Sequence, residues 1–377
     1  MRQIIMNKTE QYPVLEIHGD IIKQNAQVLL NECRSIGIEP CAVVKGFCNL
    51  MPITKELCRA GFKEAASSRV AHLKEIREAG LPVSTLLLRI PMACEIPDVV
   101  RYCDAALVSE PETIRQLDQE AAAQKKLLNV ILMRDLGDLR EGIFDRETFV
   151  RTAVWIEEDL EHLHLKGIGT NLTCYGSVMP TEKNLGELCE NAKQIEQLIG
   201  RKLEVVSGGN TSSLPLVLQR RMPEGINHLR IGEALIVPWD LFYTWKCPRE
   251  DMSNAALILK AQIVECGEKP TMPVGEQGIN CFGSYRTYED HGIRKRAIVA
   301  IGEYDMGNYE KLVPVDPGVK VLGASSDHTI VDIHDSAREY HLGDVMSFEL
   351  RYQSMLFTTA NPLVRKVCAG QEGQEDE

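Results

Sequence analysis

Lys45 closes a short apolar run, Cys41-Ala42-Val43-Val44, and is followed at once by Gly46. An amine in that place is either a strand-end lysine reaching for water or one that the fold holds toward a ligand. Partly desolvated, such an amine has a lowered pKa and can form a Schiff base. Three further stretches put polar groups directly after apolar runs. In "SGGNTSSLP" (207–215), Gly208 and Gly209 let the backbone approach a ligand. Asn210, Thr211, Ser212 and Ser213 then offer hydroxyls and N–H groups at a helix start. That is an anion cradle or an ordinary helix cap. "LRIGEAL" (229–235) sends out Arg230, with the backbone of Gly232 just behind it. "RDLGDLREG" (134–142) carries Arg140, placed for a bidentate carboxylate clamp or a surface ion pair. Together, an early amine, a late phosphate nest and arginines between them suit a phosphorylated aldehyde. Pyridoxal 5′-phosphate is the candidate cofactor.

These groups need strands to hold them. From residue 13 to 236, short apolar runs alternate with helical patterns. The runs are "VLEI" (14–17), "CAVV" (41–44), "EAAS" (64–67), "STLLL" (84–88), "AALVS" (105–109), "LLNVILM" (127–133), "LKGIG" (165–169), "LEVVS" (203–207) and "HLRIG" (228–232). The stretch 22–37 has helical apolar spacing and ends on Gly37, and 181–200 begins on Thr181 and ends on Gly200. Strand then helix, repeated about eight times, predicts an α/β fold with an N-terminal (β/α)8 TIM-type barrel. An open doubly wound sheet is the alternative, with no GxGxxG after the first strand to support it. After residue 240 the pattern becomes strand-like, with Gly, Pro and Asp in the connections and no long helix, as in 255–266, 296–304 and 345–352. The expected division is a barrel over 1–240, a mainly β domain over 241–370, and a disordered acidic tail over 371–377.

Composition narrows the function. The 377 residues are 44% hydrophobic and 25% charged, ordinary globular values. A net charge of -12 argues against a nucleic-acid partner and mildly favours a cationic substrate. The twelve cysteines lie scattered in apolar segments without a CxxC pair, which reads as free thiols in a reducing compartment. With no apolar run long enough to span a bilayer and no leader pattern, a cytoplasmic location without membrane contact is expected. His162 and His164 share strand spacing, but no third and fourth ligand is evident, so no metal is expected.

The phrases "AVVKGFCN", "DLGDLREG", "GIGTNLTCYGSVMPTEKNL", "SGGNTSSL", "LRIGEAL" and "LGASSDH" follow one another from residue 42 to 328. In that order the chain resembles the alanine-racemase-type, fold type III pyridoxal-phosphate enzymes, and within them the ornithine racemase branch. The resemblance implies a racemase of a small amino acid, ornithine or lysine by preference, acting as a homodimer. It implies that Lys45 carries the cofactor and transfers one of the protons. Arg230 would face the pyridine nitrogen, and Thr211, Gly232 and Glu233 would hold the phosphate with Asn210 beside it. Arg140 would approach the ring hydroxyl and the substrate carboxylate, and Asn171 stands where alanine racemases have a histidine.

The chain also departs from that pattern. Asn49 replaces a phosphate-binding tyrosine, and Met133 replaces a lysine that is often carbamylated. The phrase that carries the second catalytic tyrosine reads "IGEYD" (301–305), with Glu303 at the aligned place and Tyr304 one later. The opposite-face proton group is therefore expected from Tyr304 or from the segment Ser326, Asp327, His328. Glu303, Asp305 or Asp327 are the candidates for reading a basic side chain. An alanine or broad-specificity racemase, a decarboxylase, an aldolase or dehydratase acting on D-hydroxy amino acids, and a non-catalytic cofactor carrier remain as alternatives.

Overall fold

A four-residue apolar strand feeding a helix is the unit of a (β/α)8 barrel, and β1 (Val14–Ile17) with the helix Gly19–Arg34 has that form. Its hydrogen bonds place it elsewhere. In the computed structural model, which describes residues 11–370, β1 runs antiparallel to Leu257–Pro270 and parallel to Arg365–Cys368.

The barrel begins one strand later. β2 (Glu39–Val43), β3 (Glu64–Ser67), β4 (Ser84–Leu87), β5 (Ala105–Val108), β6 (Leu128–Met133), β7 (Leu163–Gly169), β8 (Val205–Asn210) and β9 (His228–Ile231) pair in sequence, all parallel. β9 closes the ring on β2, with Cys41 opposite Arg230. The strands are short and almost continuously apolar because a parallel sheet is covered on both faces. Val43, Leu86, Leu107, Ile131 and Met133 meet in the interior. Met133, where the resemblance sets a modified lysine, is thus a core residue with no exposed surface. The helix Glu182–Ile199 starts on a capping box between Thr181 and Asn184 and ends on Gly200 at φ 72°.

Residues 20–253 form one compact unit, and residues 11–19 with 254–370 form another. Both ends differ from the expected 1–240 and 241–370. β1 belongs to the second unit through its ladders. The segment after 240 stays with the barrel because the Asn25 amide clips it: Nδ2 donates to the Ser253 carbonyl at 2.8 Å and Oδ1 accepts its N–H at 2.9 Å. The expected acidic tail, 371–377, lies outside the described residues.

The second unit is antiparallel apart from the β1–β16 ladder. It contains β10 (Leu257–Pro270), β11 (Ile293–Val299), β12 (Leu312–Pro314), β13 (Lys320–Ala324), β14 (Thr329–Asp332), β15 (Val345–Leu350) and β16 (Arg365–Cys368). The main path is β12-β15-β10-β11-β14-β13. Two expectations are corrected here. The run 296–304 is a strand only to Val299, and Glu303–Met306 is a helical turn. A nine-residue helix, Tyr352–Ala360, follows β15 where only strands were expected. All twelve cysteines are thiols rather than disulfides. No helix among the described residues is long and apolar enough to cross a membrane.

Candidate active site

The buried β2 delivers the chain to a 3-10 turn, Lys45–Phe47, whose Phe47 ring is anchored in the core. The turn closes with the Cys48 N–H donating to the Lys45 carbonyl at 3.2 Å, and Cys48 and Asn49 both adopt left-handed backbone. Lys45 is left half-buried. Burial and then the charge of Arg140 lower its pKa from the ordinary 10.5, with Cys174 and Glu141 opposing and Arg230 adding to the fall. It is therefore a more available nucleophile than a surface lysine. Asn49 is engaged elsewhere. Its amide accepts the Thr54 hydroxyl at 2.9 Å and donates to the His72 carbonyl and to Glu75.

Arg230 emerges from β9 fully inside the barrel. Its Nη1 donates to the Ser207 hydroxyl and its Nη2 to the Thr170 carbonyl at 2.7 Å. Burial lowers its pKa to about 10. At the end of β8, Asn210 caps the following turn by accepting the Ser212 N–H at 2.8 Å. Its Nδ2 ties back to Asn171 Oδ1 and to the Leu172 carbonyl. The Gly232 N–H reaches Thr211 Oγ1 at 3.3 Å, so the two halves of the expected anion cradle meet. Glu233 begins the short helix Glu233–Ile236 directly behind.

The loops after β6 and β7 interlock. The carboxylate of Asp138, which is 1% exposed, accepts the backbone N–H groups of Cys174, Tyr175 and Val178. Gly176 packs on the Asp138 carbonyl so closely that a Cβ would stand 2.7 Å from that oxygen. Arg140 is exposed and turned to its neighbour: Nε and Nη2 both donate to Glu141, and Nη1 points at the Cys174 sulfur at 3.1 Å. The edge expected to clamp a carboxylate is thus already occupied by one.

In the second unit, two separate phrases are brought together. Gly302 lies flat on the backbone of Ser326 and Asp327, where a Cβ would meet the Ser326 carbonyl at 2.1 Å. The Glu303 and Tyr304 N–H groups donate to the carbonyls of Ser325 and Ser326 at 2.9 and 3.1 Å. A pocket of about 1120 Å³ is lined by Glu303, Tyr304, Ser326, Arg286, Tyr309 and Phe357, among others. Burial raises the Glu303 pKa, with Arg286 opposing. Asp305, Asp327 and His328 do not line this pocket. Asp305 holds the turn, accepting the Gly302 N–H at 3.0 Å and the Asn361 amide. Asp327 accepts the Ser326 hydroxyl at 2.5 Å, and His328 is exposed.

Residues 17–238 match the model of the alanine racemase N-terminal domain. The chain belongs to the alanine racemase family. It is 42% identical to an ornithine racemase of Acetoanaerobium sticklandii over 92% of this chain and 96% of that one. It is 35% identical to a lysine racemase of Thermotoga maritima over 94% and 98%. Among solved structures, an alanine racemase from a D-cycloserine-producing Streptomyces lavendulae superposes with TM-score 0.71 at 16% identity, covering 96% and 98% of the chains. A D-threonine aldolase from Filomicrobium marinum gives 0.69 at 14%, covering 93% and 88%. At those identities the structures speak for the fold alone.

The family's cofactor is pyridoxal 5′-phosphate, and the barrel residues fit such a group. Ser212 Oγ and Asn171 Nδ2 are buried without a hydrogen-bond partner, a state that normally calls for a ligand or water. Gly209, at φ 106°, leaves space that a Cβ could occupy only 2.8 Å from Ser213 Oγ.

Four residues around this candidate site escape a reading of single stretches: Asp138, Glu141, Cys174 and Ser207. Each sits within a phrase quoted for the resemblance, one or a few places from a candidate, and only folding shows what it touches. The histidine pair is dispersed, His162 beside Asp118 and His164 on Glu204 at 2.6 Å. Instead Cys41, Glu64 and His228 cluster inside the barrel, with ligand atoms within 4.8 Å of one another.

Proposed function

We propose that this chain is a pyridoxal-phosphate-dependent racemase that interconverts the L and D forms of a basic amino acid, ornithine or lysine. The observation that carries the reading is the desolvated Lys45 amine at the barrel mouth, beside a buried arginine and a cradle with unpartnered donors. Homology to an ornithine and a lysine racemase along nearly the whole chain supports the basic substrate.

When bound, the cofactor supplies an electron sink that acidifies the substrate Cα–H. The chain's own residues do the rest. Lys45 anchors the cofactor and, as a neutral amine, takes or returns the proton on one face of Cα. Arg230 would stand toward the cofactor's ring nitrogen, where its positive charge would disfavour a second one beside it. This restrains side reactions while leaving proton exchange open. Thr211, Ser212 and the N–H groups of Gly232 and Glu233 would hold the phosphate, with Asn210 and Asn171 bracing that cradle. Arg140 meets the substrate carboxylate, which must then displace Glu141 from it. Tyr304 handles the proton on the opposite face, with Ser326 beside it. Glu303 reads the distal ammonium, since a carboxylate raised by burial regains stability when a cation pairs with it. The proposed assembly is a cytoplasmic homodimer in which the partner subunit supplies the opposite-face group.

The holoenzyme is incubated with L-ornithine, L-lysine and L-alanine in deuterated water. Loss of chirality with deuterium at Cα, fastest for a basic substrate, is the expected result. Release of carbon dioxide, ammonia or aldehyde, or no exchange, overturns it.

A further inference from the structure

The buried guanidinium of Arg230 carries no carboxylate among the described residues, only the Ser207 hydroxyl and a carbonyl. Buried charges ordinarily need compensation. The charge of Glu141 supplies part of it and that of Glu64, further down the barrel, another part. His228 and Arg230 are two places apart on β9, so both side chains point to the same face. Ser207 Oγ stands 2.7 Å from His228 Nδ1, and His228 Nε2 stands 2.9 Å from Glu64 Oε2. The other Glu64 oxygen is 3.6 Å from the Lys166 ammonium.

The directions of these bonds follow from chemistry. Burial alone would raise the Glu64 pKa, but His228 and Lys166 bring it down to about 2. As a carboxylate it only accepts, so His228 Nε2 carries the hydrogen and donates. Arg230 donates to the Ser207 oxygen, and with His228 as the neutral imidazole the serine hydrogen goes to Nδ1. The chain therefore runs one way, from Arg230 through Ser207 to His228, with His228 donating to Glu64. A metal ion among Cys41, Glu64 and His228 fits less well. Burial pushes the Cys41 thiol well above its ordinary value, so it stays protonated, and Lys166 already brings a cation to Glu64.

We infer that Ser207, His228 and Glu64 are positioning residues: a buried relay that fixes the orientation of Arg230 and carries the negative charge of Glu64 toward its guanidinium. The inference rests on the reading that Arg230 faces the cofactor. No relay residue touches substrate, so their effect appears in how Arg230 presents its charge.

The test compares Ser207→Ala, Glu64→Gln and the double variant, each loaded with pyridoxal phosphate. Ser207→Ala removes one oxygen and should fold. If Glu64→Gln does not, Ser207→Ala alone decides between the first two outcomes below. The relay requires that each single variant shift the visible absorbance band of the bound cofactor and weaken cofactor affinity. It also requires that kcat fall about tenfold while KM stays nearly constant. The double variant should then lose clearly less than the two single losses combined, because Glu64 acts on Arg230 partly through that hydroxyl. Variants that lose only thermal stability, with band, affinity and kcat unchanged, overturn the relay, and so do fully additive losses. A wild-type chain that binds cofactor but racemises neither ornithine nor lysine sinks the functional reading instead. The band and affinity comparison still decides the relay in that case.

Discussion

The buried carboxylate of Asp138 accepts the backbone N–H of Cys174 through both oxygens, at 3.3 and 3.2 Å. Two loops from neighbouring barrel strands are thereby tied into one rim, which carries Arg140 on one side and Cys174 on the other. Removing the carboxylate strands three N–H groups at once, those of Cys174, Tyr175 and Val178. We expect Asp138→Ala to lower stability by about 2–3 kcal/mol. It should raise KM more than it lowers kcat, because the rim positions rather than reacts. Gly176→Ala, which forces a methyl onto the Asp138 carbonyl, should act in the same direction. Denaturant melts and steady-state kinetics check both.

Lys45 makes the apoenzyme respond to pH with a definite sign. Its pKa in the fold is lowered, so between that value and the ordinary 10.5 the unfolded chain holds one proton more than the folded one. Stability from this site therefore rises with pH across that window, and the full penalty of a buried ammonium is present below it. Lys45→Met should make the apoenzyme more stable than wild type at neutral pH, with the gain shrinking as pH approaches 10.5. The same variant should bind no borohydride-trappable cofactor. Thermal melts across pH, together with the visible spectrum after reduction, check the two halves separately.

Much of this was legible in the sequence, and the reason is local. Lys45 and Arg140 follow apolar strands and Arg230 lies near the end of one, and strand ends in a barrel are where ligands meet the fold. The misassigned β1 shows the limit. "VLEI" followed by a helix is indistinguishable from a barrel unit until its partners, 240 residues and more away at Leu257–Lys260, are known. The relay behind Arg230 was illegible for the same reason. Glu64 and His228 are 164 residues apart and meet only because β9 closes on β2 beside β3. Asp138 looked like any turn aspartate, since nothing in "LGDL" announces that its oxygens face another loop.

Glu303 is the acidic side chain that both lines the second unit's pocket and is pushed up by burial. Asp305, also raised, is already committed to Gly302 and Asn361. Charge reading should therefore fall on Glu303. Glu303→Gln is expected to raise KM for ornithine and lysine about tenfold while leaving alanine turnover unchanged. Asp305→Asn should instead reduce stability. Parallel kinetics on the three amino acids separate the two roles, and an equal loss on all three would assign Glu303 a structural part.

Tyr304 is 64% exposed and held in place by its backbone, whose N–H donates to the Ser326 carbonyl. Its ring is thus presented on a rigid turn while its hydroxyl remains available. If Lys45 serves one face of Cα and Tyr304 the other, deleting the hydroxyl should remove inversion but spare exchange on the lysine face. Tyr304→Phe is accordingly expected to lower racemisation by about 10²- to 10⁴-fold, with cofactor affinity and absorbance unchanged. In deuterated water, one enantiomer should still take up deuterium without inverting and the other should not. Mass spectrometry on each enantiomer, with chiral separation, reads this directly. Equal residual exchange from both enantiomers would mean that the opposite-face proton passes through a different group.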